Sequence, residues 1–190
     1  MKGVKVAFLA YTAVTNGQRA PHPWSLNLAN PARIVADAQA ARRRGADTAI
    51  VNLHWGDEYS HAVTPSQAAL ARGLTRSPAI AAVVGQHVHV VQPIRRVNGK
   101  PVVFGEGNLV SNQSAACCPP ESQDGLVPLI DFVASARNGG GHRVRARRVR
   151  YVPVWVRHPD YAVLPAGRGS TSWRRTGAAA GRGPGIGPVR

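Results

Sequence analysis

Hydrophobic positions in this chain fall into short runs, each closed by a polar or turn-forming cluster. Val4 to Ala10 alternates as a first strand, and Thr12 to Trp24 follows as a loop rich in turn residues. Asn30-Pro31 supplies an N-cap and a proline at the first helical position, so a helix is predicted over Ala32–Arg44. Its apolar stripe is Ile34, Val35, Ala38 and Ala41, and it ends in an arginine run before Gly45. Thr48 to Leu53 is continuously apolar, as in a strand covered on both faces. After a polar loop from His54, Thr64-Pro65-Ser66-Gln67 reads as a capping box opening a helix to about Arg76.

A buried strand is predicted over Ala79–Val84. Val90–Val97 and Lys100–Phe104 flank Asn98-Gly99, the strongest short-range hairpin signal. Leu126–Ala134 and Val144–Val156, joined by Asn138-Gly139-Gly140-Gly141, form a further pair whose alternating valine and arginine suit a sheet with one wet face. The pattern therefore predicts an α/β layer followed by antiparallel strands, an α+β arrangement. Residues 166–190 are Gly, Arg, Pro and Ala with little to bury, and are expected to be a disordered tail behind a domain over 1–165.

A chain of 190 residues can bury one ordinary core. Its formal charge of +15 is unevenly spread: residues 137–190 contain 12 arginines and a single acid, Asp160. Such a balance raises polyanions as partners. Charge is the only feature suggesting nucleic acid, because no recognised nucleic-acid motif accompanies it, and none is expected as a partner. No run reads as a signal peptide or a membrane span. Cys117-Cys118 is a vicinal pair, open to three readings: two thiols, a vicinal disulfide, or bonds to cysteines elsewhere.

Three buried strands run straight into glycine-flanked polar residues: IVNLHWG with His54, AVVGQHVHV with His87 and His89, and VVFGEGNLV with Glu106 and Asn108. Ligands bind at the carboxyl ends of strands in open α/β sheets, so these ends are the candidate site. In extended backbone, His87 and His89 would point to the same side, and neutral imidazole is the commonest metal ligand. Asp37, in mid-helix, and Asp47, after the helix-ending glycine, read as solvated side chains. His61, His142 and His158 carry no expected role. Trp55 and Tyr59 would either wall a substrate or pack over the helix.

The segments NLHWGDEY, PSQAALARGL, AAVVGQHVHVVQP and GKPVVFGEGNLVSNQ, in this order and spacing, resemble the CapA/PgsA capsule-synthesis family. That family is associated with poly-γ-glutamate capsules and is similar to the calcineurin-like metallophosphoesterases. The resemblance, over about residues 3–165, implies a metallophosphoesterase-like β-sandwich flanked by helices. It implies a dinuclear centre of two divalent ions (Mn, Fe, Zn or Mg), with His54 and His87 on one metal and His89 on the other. Glu58 and Asn108 become catalytic candidates, and Trp55, Tyr59 and Glu106 substrate-facing or supporting ones. The implied partners are an anionic polymer or phosphoester, with other capsule-synthesis proteins at the membrane, in the cell envelope.

Val88 stands where the family has proline in its H-P-H, and Glu106-Gly107-Asn108-Leu109 varies its L-G-N-F. The Asp-x-His, Gly-Asp and Asn-His segments that complete the superfamily's site have no counterpart here. The resemblance thus implies an N-terminally truncated domain with poor hydrolytic activity of its own. The alternative reading is a non-catalytic envelope module that binds an anionic polymer through its basic C-terminal strands.

Overall fold

The computed structural model describes residues 3–189, and most elements follow the apolar runs. Strand β1 (Val6–Thr12) leads to helix α1 (Pro31–Arg43), β2 (Thr48–Trp55), α2 (Pro65–Arg76) and β3 (Ile80–His87). The hairpin β4 (Ile94–Val97) and β5 (Lys100–Val103) completes a five-stranded sheet in the order β1-β2-β3-β5-β4. Strands β1, β2, β3 and β5 are parallel, and β4 is antiparallel at one edge. The N-caps act as the sequence predicts. Asn30 Oδ1 accepts from Arg33 N at 3.0 Å, and both reciprocal bonds of the Thr64–Gln67 capping box form. Asn98 and Gly99 take left-handed φ values of 49° and 77°, as the tight hairpin turn requires.

A second sheet is built from β6 (Asp124–Ala136), β7 (His142–Arg157), β8 (Ala162–Pro165) and β9 (Ile186–Pro188). Alternation along the first sheet divides the core in two. Val51, Leu53, Trp55 and Val83 pack with Ile34, Ala38, Ala71 and Leu74 on the helix side. Ile50, Ala82, Val84 and Val103 face Leu126, Val149 and Tyr151 of the second sheet. Helices on one face and a second, mainly antiparallel sheet on the other give the expected α+β sandwich flanked by helices. β1 forms an open edge, with Phe8 71% exposed.

Two expectations are corrected. The segment after Ala166 is not featureless: helix α3 (Thr171–Ala180) packs on β6 and β7, and β9 pairs with β7. Its small residues are what allow this, because Thr176 and Ala180 bury completely by close approach rather than by bulk. Arg175 anchors the helix by donating to Asp124 at 2.6 Å, with Glu121 4.0 Å away. Asp47 is buried rather than solvated. It accepts from the backbone N–H of Lys5 at 2.8 Å and from the backbone N–H and ring of His142, joining the start of β1 to the β6–β7 hairpin.

One contact fixes how β2, β3 and β5 meet. The Trp55 indole N–H crosses β3 at Gly85 and donates to the Phe104 carbonyl at 2.8 Å, with the two rings stacked 5.7 Å apart. A Cβ at Gly85 would lie 2.0 Å from the Phe104 oxygen and 2.3 Å from Trp55 Nε1. Neither obstacle is a flexible chain end.

We predict that Gly85→Ala destabilises the fold by about 3 kcal/mol through overpacking and loss of this hydrogen bond, read by urea unfolding. A change within about 0.5 kcal/mol would show that the strands can separate freely there. The backbone N–H of Lys5, and then His142, hold the Asp47 carboxyl below its ordinary range against the opposing effect of burial. A depressed folded-state value means this stabilisation is complete above the ordinary carboxylate range and is lost as pH falls through the folded value. Asp47→Asn should therefore lower stability at neutral pH and reduce the loss on acidification. Parallel urea-midpoint curves for the two proteins down to acid pH would contradict it.

Candidate functional site

His54 is the penultimate residue of β2 and His87 the last of β3, paired strands whose ends bring the two rings within 4.3 Å. His89 lies 6.2 Å from His87, ring centre to ring centre. The three imidazoles that the sequence singles out are thus gathered at the carboxyl edge of the sheet. They meet by a route different from the expected one. His87 and His89 are not extended: their φ values are +96° and +60°, so a left-handed turn presents the rings. Non-glycine residues there cost roughly 1–3 kcal/mol each, and such strain gathers at functional sites.

Packing holds that turn. Val88, between the histidines, is fully buried. A Cβ on Gly56 or on Gly105 would meet its methyl groups at 2.7 Å, so two glycines make room for it. Val88 O also accepts from Tyr59 N at 2.7 Å, tying the 56–61 loop to the turn. Beneath both lies Gln92, wholly buried. Its Nε2 donates to the Ser60 and Ala62 carbonyls, each at 2.9 Å, and its Oε1 accepts from Gln67 Nε2 at 2.8 Å. Gln67 also caps α2, so one pair of amides joins helix, loop and turn. A polar Gln92 inside the run Val90-Val91-Gln92-Pro93 was the available sequence signal for this support.

The other candidates fall in distinct places. Asn108 sits under His89: its Oδ1 is 3.0 Å from His89 Nδ1, while its Nδ2 donates to Ser122 O at 2.8 Å and Gln113 Oε1 at 3.2 Å. That arrangement leaves the Asn108 oxygen as acceptor, so the neutral tautomer it favours carries the proton on His89 Nδ1 and leaves Nε2 as the ligating nitrogen. Glu58 Oε1 is 3.9 Å from that Nε2 and accepts from Asn16. Tyr59 stacks on His89 at 5.8 Å, and its hydroxyl accepts from Gln113. Trp55 is buried and belongs to the core, which decides between its two readings for packing. Glu106 turns to the other side of the site, accepting from Gln86 at 2.8 Å beside a groove lined by Phe8, Ile50 and Phe132. Burial pushes its carboxyl upward, with the Gln86 bond opposing.

Cys117 and Cys118 are joined as a vicinal disulfide, and Cys118 Sγ lies 4.0 Å from the Tyr59 hydroxyl. Three histidines outside the cluster have structural partners: His61 with Val91 O, His142 with Asp47, and His158 against Tyr161.

The donor set suits a divalent cation in type. Burial, and then the neighbouring imidazoles, lower the basicity of His54 and His87, which favours the neutral ligating form. Nδ1 of His87 is buried without a hydrogen-bond partner. The set falls short in number. Among the described residues, no group of three His, Cys, Asp or Glu side chains closes around a point that could hold an ion.

The family model of the bacterial capsule synthesis protein PGA_cap matches residues 1–113, a span that contains all three histidines, Glu106 and Asn108. The chain is 34% identical over 119 residues to the capsule biosynthesis protein CapA of Bacillus anthracis, covering 60% of this chain and 28% of that protein. It is 31% identical over 119 residues to the PGA biosynthesis protein CapA of Bacillus subtilis (strain 168), covering 60% and 30%. A probable polyglutamine synthesis accessory protein of Mycobacterium tuberculosis (strain CDC 1551 / Oshkosh) is 37% identical over 84 residues, covering 42% and 22%. The chain therefore spans less than a third of the length of each of these relatives.

Replacing Gln92 by Leu strands two loop carbonyls and the Gln67 amide, so it should cost about 2–4 kcal/mol in urea unfolding. Amide exchange in residues 56–62 should accelerate with it. Unchanged exchange there would show that the loop is held by other contacts.

Proposed function

From the premise that this chain belongs to the bacterial capsule synthesis PGA_cap family, we propose that it acts in the synthesis or export of an acidic envelope polymer. Its histidine cluster would be part of a metal-dependent phosphoester-hydrolysing site. The observation carrying the second half is the convergence of His54, His87 and His89 at one sheet edge, two of them on left-handed backbone. His54, His87 and His89 would each offer an imidazole to a divalent cation, without closing a shell around it by themselves. When bound, such a cation supplies Lewis-acid polarisation of a phosphoryl oxygen and lowers the pKa of water.

The chain's own residues have separable parts in this. Asn108 fixes the His89 tautomer through Nδ1 and so keeps Nε2 available. Glu58, 3.9 Å from that Nε2, is the carboxylate placed to take a proton at the rim. The stacked Tyr59 ring shields one side of His89 from water. Three imidazoles make a sparse shell for a doubly charged ion, because carboxylates normally supply the compensating negative charge. Weak metal affinity and slow hydrolysis follow for these residues acting alone.

The place of action proposed is the cell envelope, among other capsule-synthesis proteins. Among the described residues, no helix is long and apolar enough to cross a membrane.

The test is metal content and turnover of the purified chain. Equilibrium dialysis against Mn²⁺ or Zn²⁺ should show weak binding that falls at least about tenfold in His87→Ala, and Asn108→Leu should weaken it less. Hydrolysis of bis(p-nitrophenyl) phosphate should be slow and metal-dependent. Metal binding untouched by His54→Ala and His87→Ala would remove the hydrolytic part of the proposal.

A further inference from the structure

A cavity lies at the opposite end of the first sheet, beside the amino ends of β2 and β5. It has a volume of about 730 Å³, and its walls include Arg42, Lys100, Arg137, Arg143 and Arg145. An adjoining cavity of about 500 Å³ shares Arg42 and Arg137 and adds Lys5. Asp47 is the one acid bordering both, and its oxygens are already taken by Lys5 N and by His142. Elsewhere Arg33 pairs with Asp37, Arg150 with Asp131, Arg157 with Asp160, and Arg175 with Asp124 and Glu121, so the acids near other parts of the surface are partly neutralised. Among the described residues, no carboxylate comes within 4.0 Å of the charged groups of Arg42, Lys100, Arg137, Arg143 or Arg145 in an ion pair.

We infer that this double cavity is a binding groove for a chain-like polycarboxylate, separate from the histidine cluster. Spacing argues for a polymer rather than a single small anion. Arg143 and Arg145 sit two residues apart on β7, exposed on one face, so their Cα atoms repeat at roughly 7 Å. Arg137 lies across the hairpin from them, and Arg42 and Lys5 carry the positive surface onward to the first sheet. Guanidinium forks take carboxylates bidentately, which suits a polymer of repeated carboxylates. The lining has no Phe, Tyr or Trp on which bases could stack, so single-stranded nucleic acid fits it less well. The site is also remote: Asp47, just before β2, and His54, near its end, are seven residues apart, roughly 23 Å in an extended strand. A polymer seated in the groove is thus held away from the histidines, as a retaining site rather than a reacting one.

The choice of a carboxylate polymer rests on the envelope-polymer reading above; the groove does not rest on the hydrolytic part. The experiment measures binding of end-labelled poly-γ-glutamate to the 190-residue chain by fluorescence anisotropy, from low to physiological salt. Arg143→Gln/Arg145→Gln should weaken binding at least about tenfold and flatten its salt dependence. Arg168→Gln/Arg174→Gln, an equal charge change elsewhere, should leave affinity within about twofold. Arg143→Lys/Arg145→Lys should keep the salt dependence while losing part of the affinity, which separates binding from a folding defect. His54→Ala/His87→Ala should bind as wild type even if it abolishes metal binding, so this inference and the hydrolytic proposal can fail independently. No binding by the wild-type chain, equal weakening by the control pair, or tighter binding of single-stranded DNA or polyphosphate of matched charge would each overturn the inference.

Discussion

The indole of Trp55, lying across Gly85 to reach the Phe104 carbonyl, is the contact on which the site depends. It reaches from β2 over β3 to the end of β5, so three strands finish at one level. His54 precedes Trp55, His87 follows Gly85 by two residues, and Glu106 follows Phe104 by two. Each chemically interesting side chain therefore inherits its position from a buried hydrogen bond and a missing Cβ. The bond is buried, so leaving its donor unpaired is costly, and the arrangement is correspondingly stiff.

Above that base, stiffness comes from buried amides. Gln67 and Gln92 satisfy each other and two loop carbonyls, which lets a polar loop sit directly over an apolar core. Val88 plugs the gap between Gly56 and Gly105 and holds its two flanking histidines in left-handed backbone. Asn108, itself held by Ser122 O and Gln113, orients His89. Such supports let strained residues persist, because the surroundings over-determine their conformation.

The molecule has two ends of different character. One edge of the sheet gathers three imidazoles, and the other gathers guanidinium groups with no carboxylate partner among the described residues, joined by the length of the same strands. Several acids are engaged by contacts within the chain: Asp47 with Lys5 and His142, Asp124 and Glu121 with Arg175, Asp131 with Arg150. Part of the net charge of +15 is concentrated in the double cavity at the amino ends of the strands.

Sequence alone determined what local chemistry controls. The caps at Asn30 and Thr64, the Asn98-Gly99 turn and the alternation of the buried strands are set by neighbours within a few residues, and each was legible. The three histidines were legible as strand-end residues, as was their family context. Only tertiary structure decided the rest. The turn at His87–His89 departs from extended geometry because Val88 must fill a space bounded by Gly56 and Gly105, which are distant in sequence. Asp47 is buried because β1 and the β6–β7 hairpin bring their N–H groups to it, and Trp55 is core because Gly85 admits it. Helix α3 forms from residues too small to announce a core, since burial by close approach needs a partner surface that no window of sequence contains.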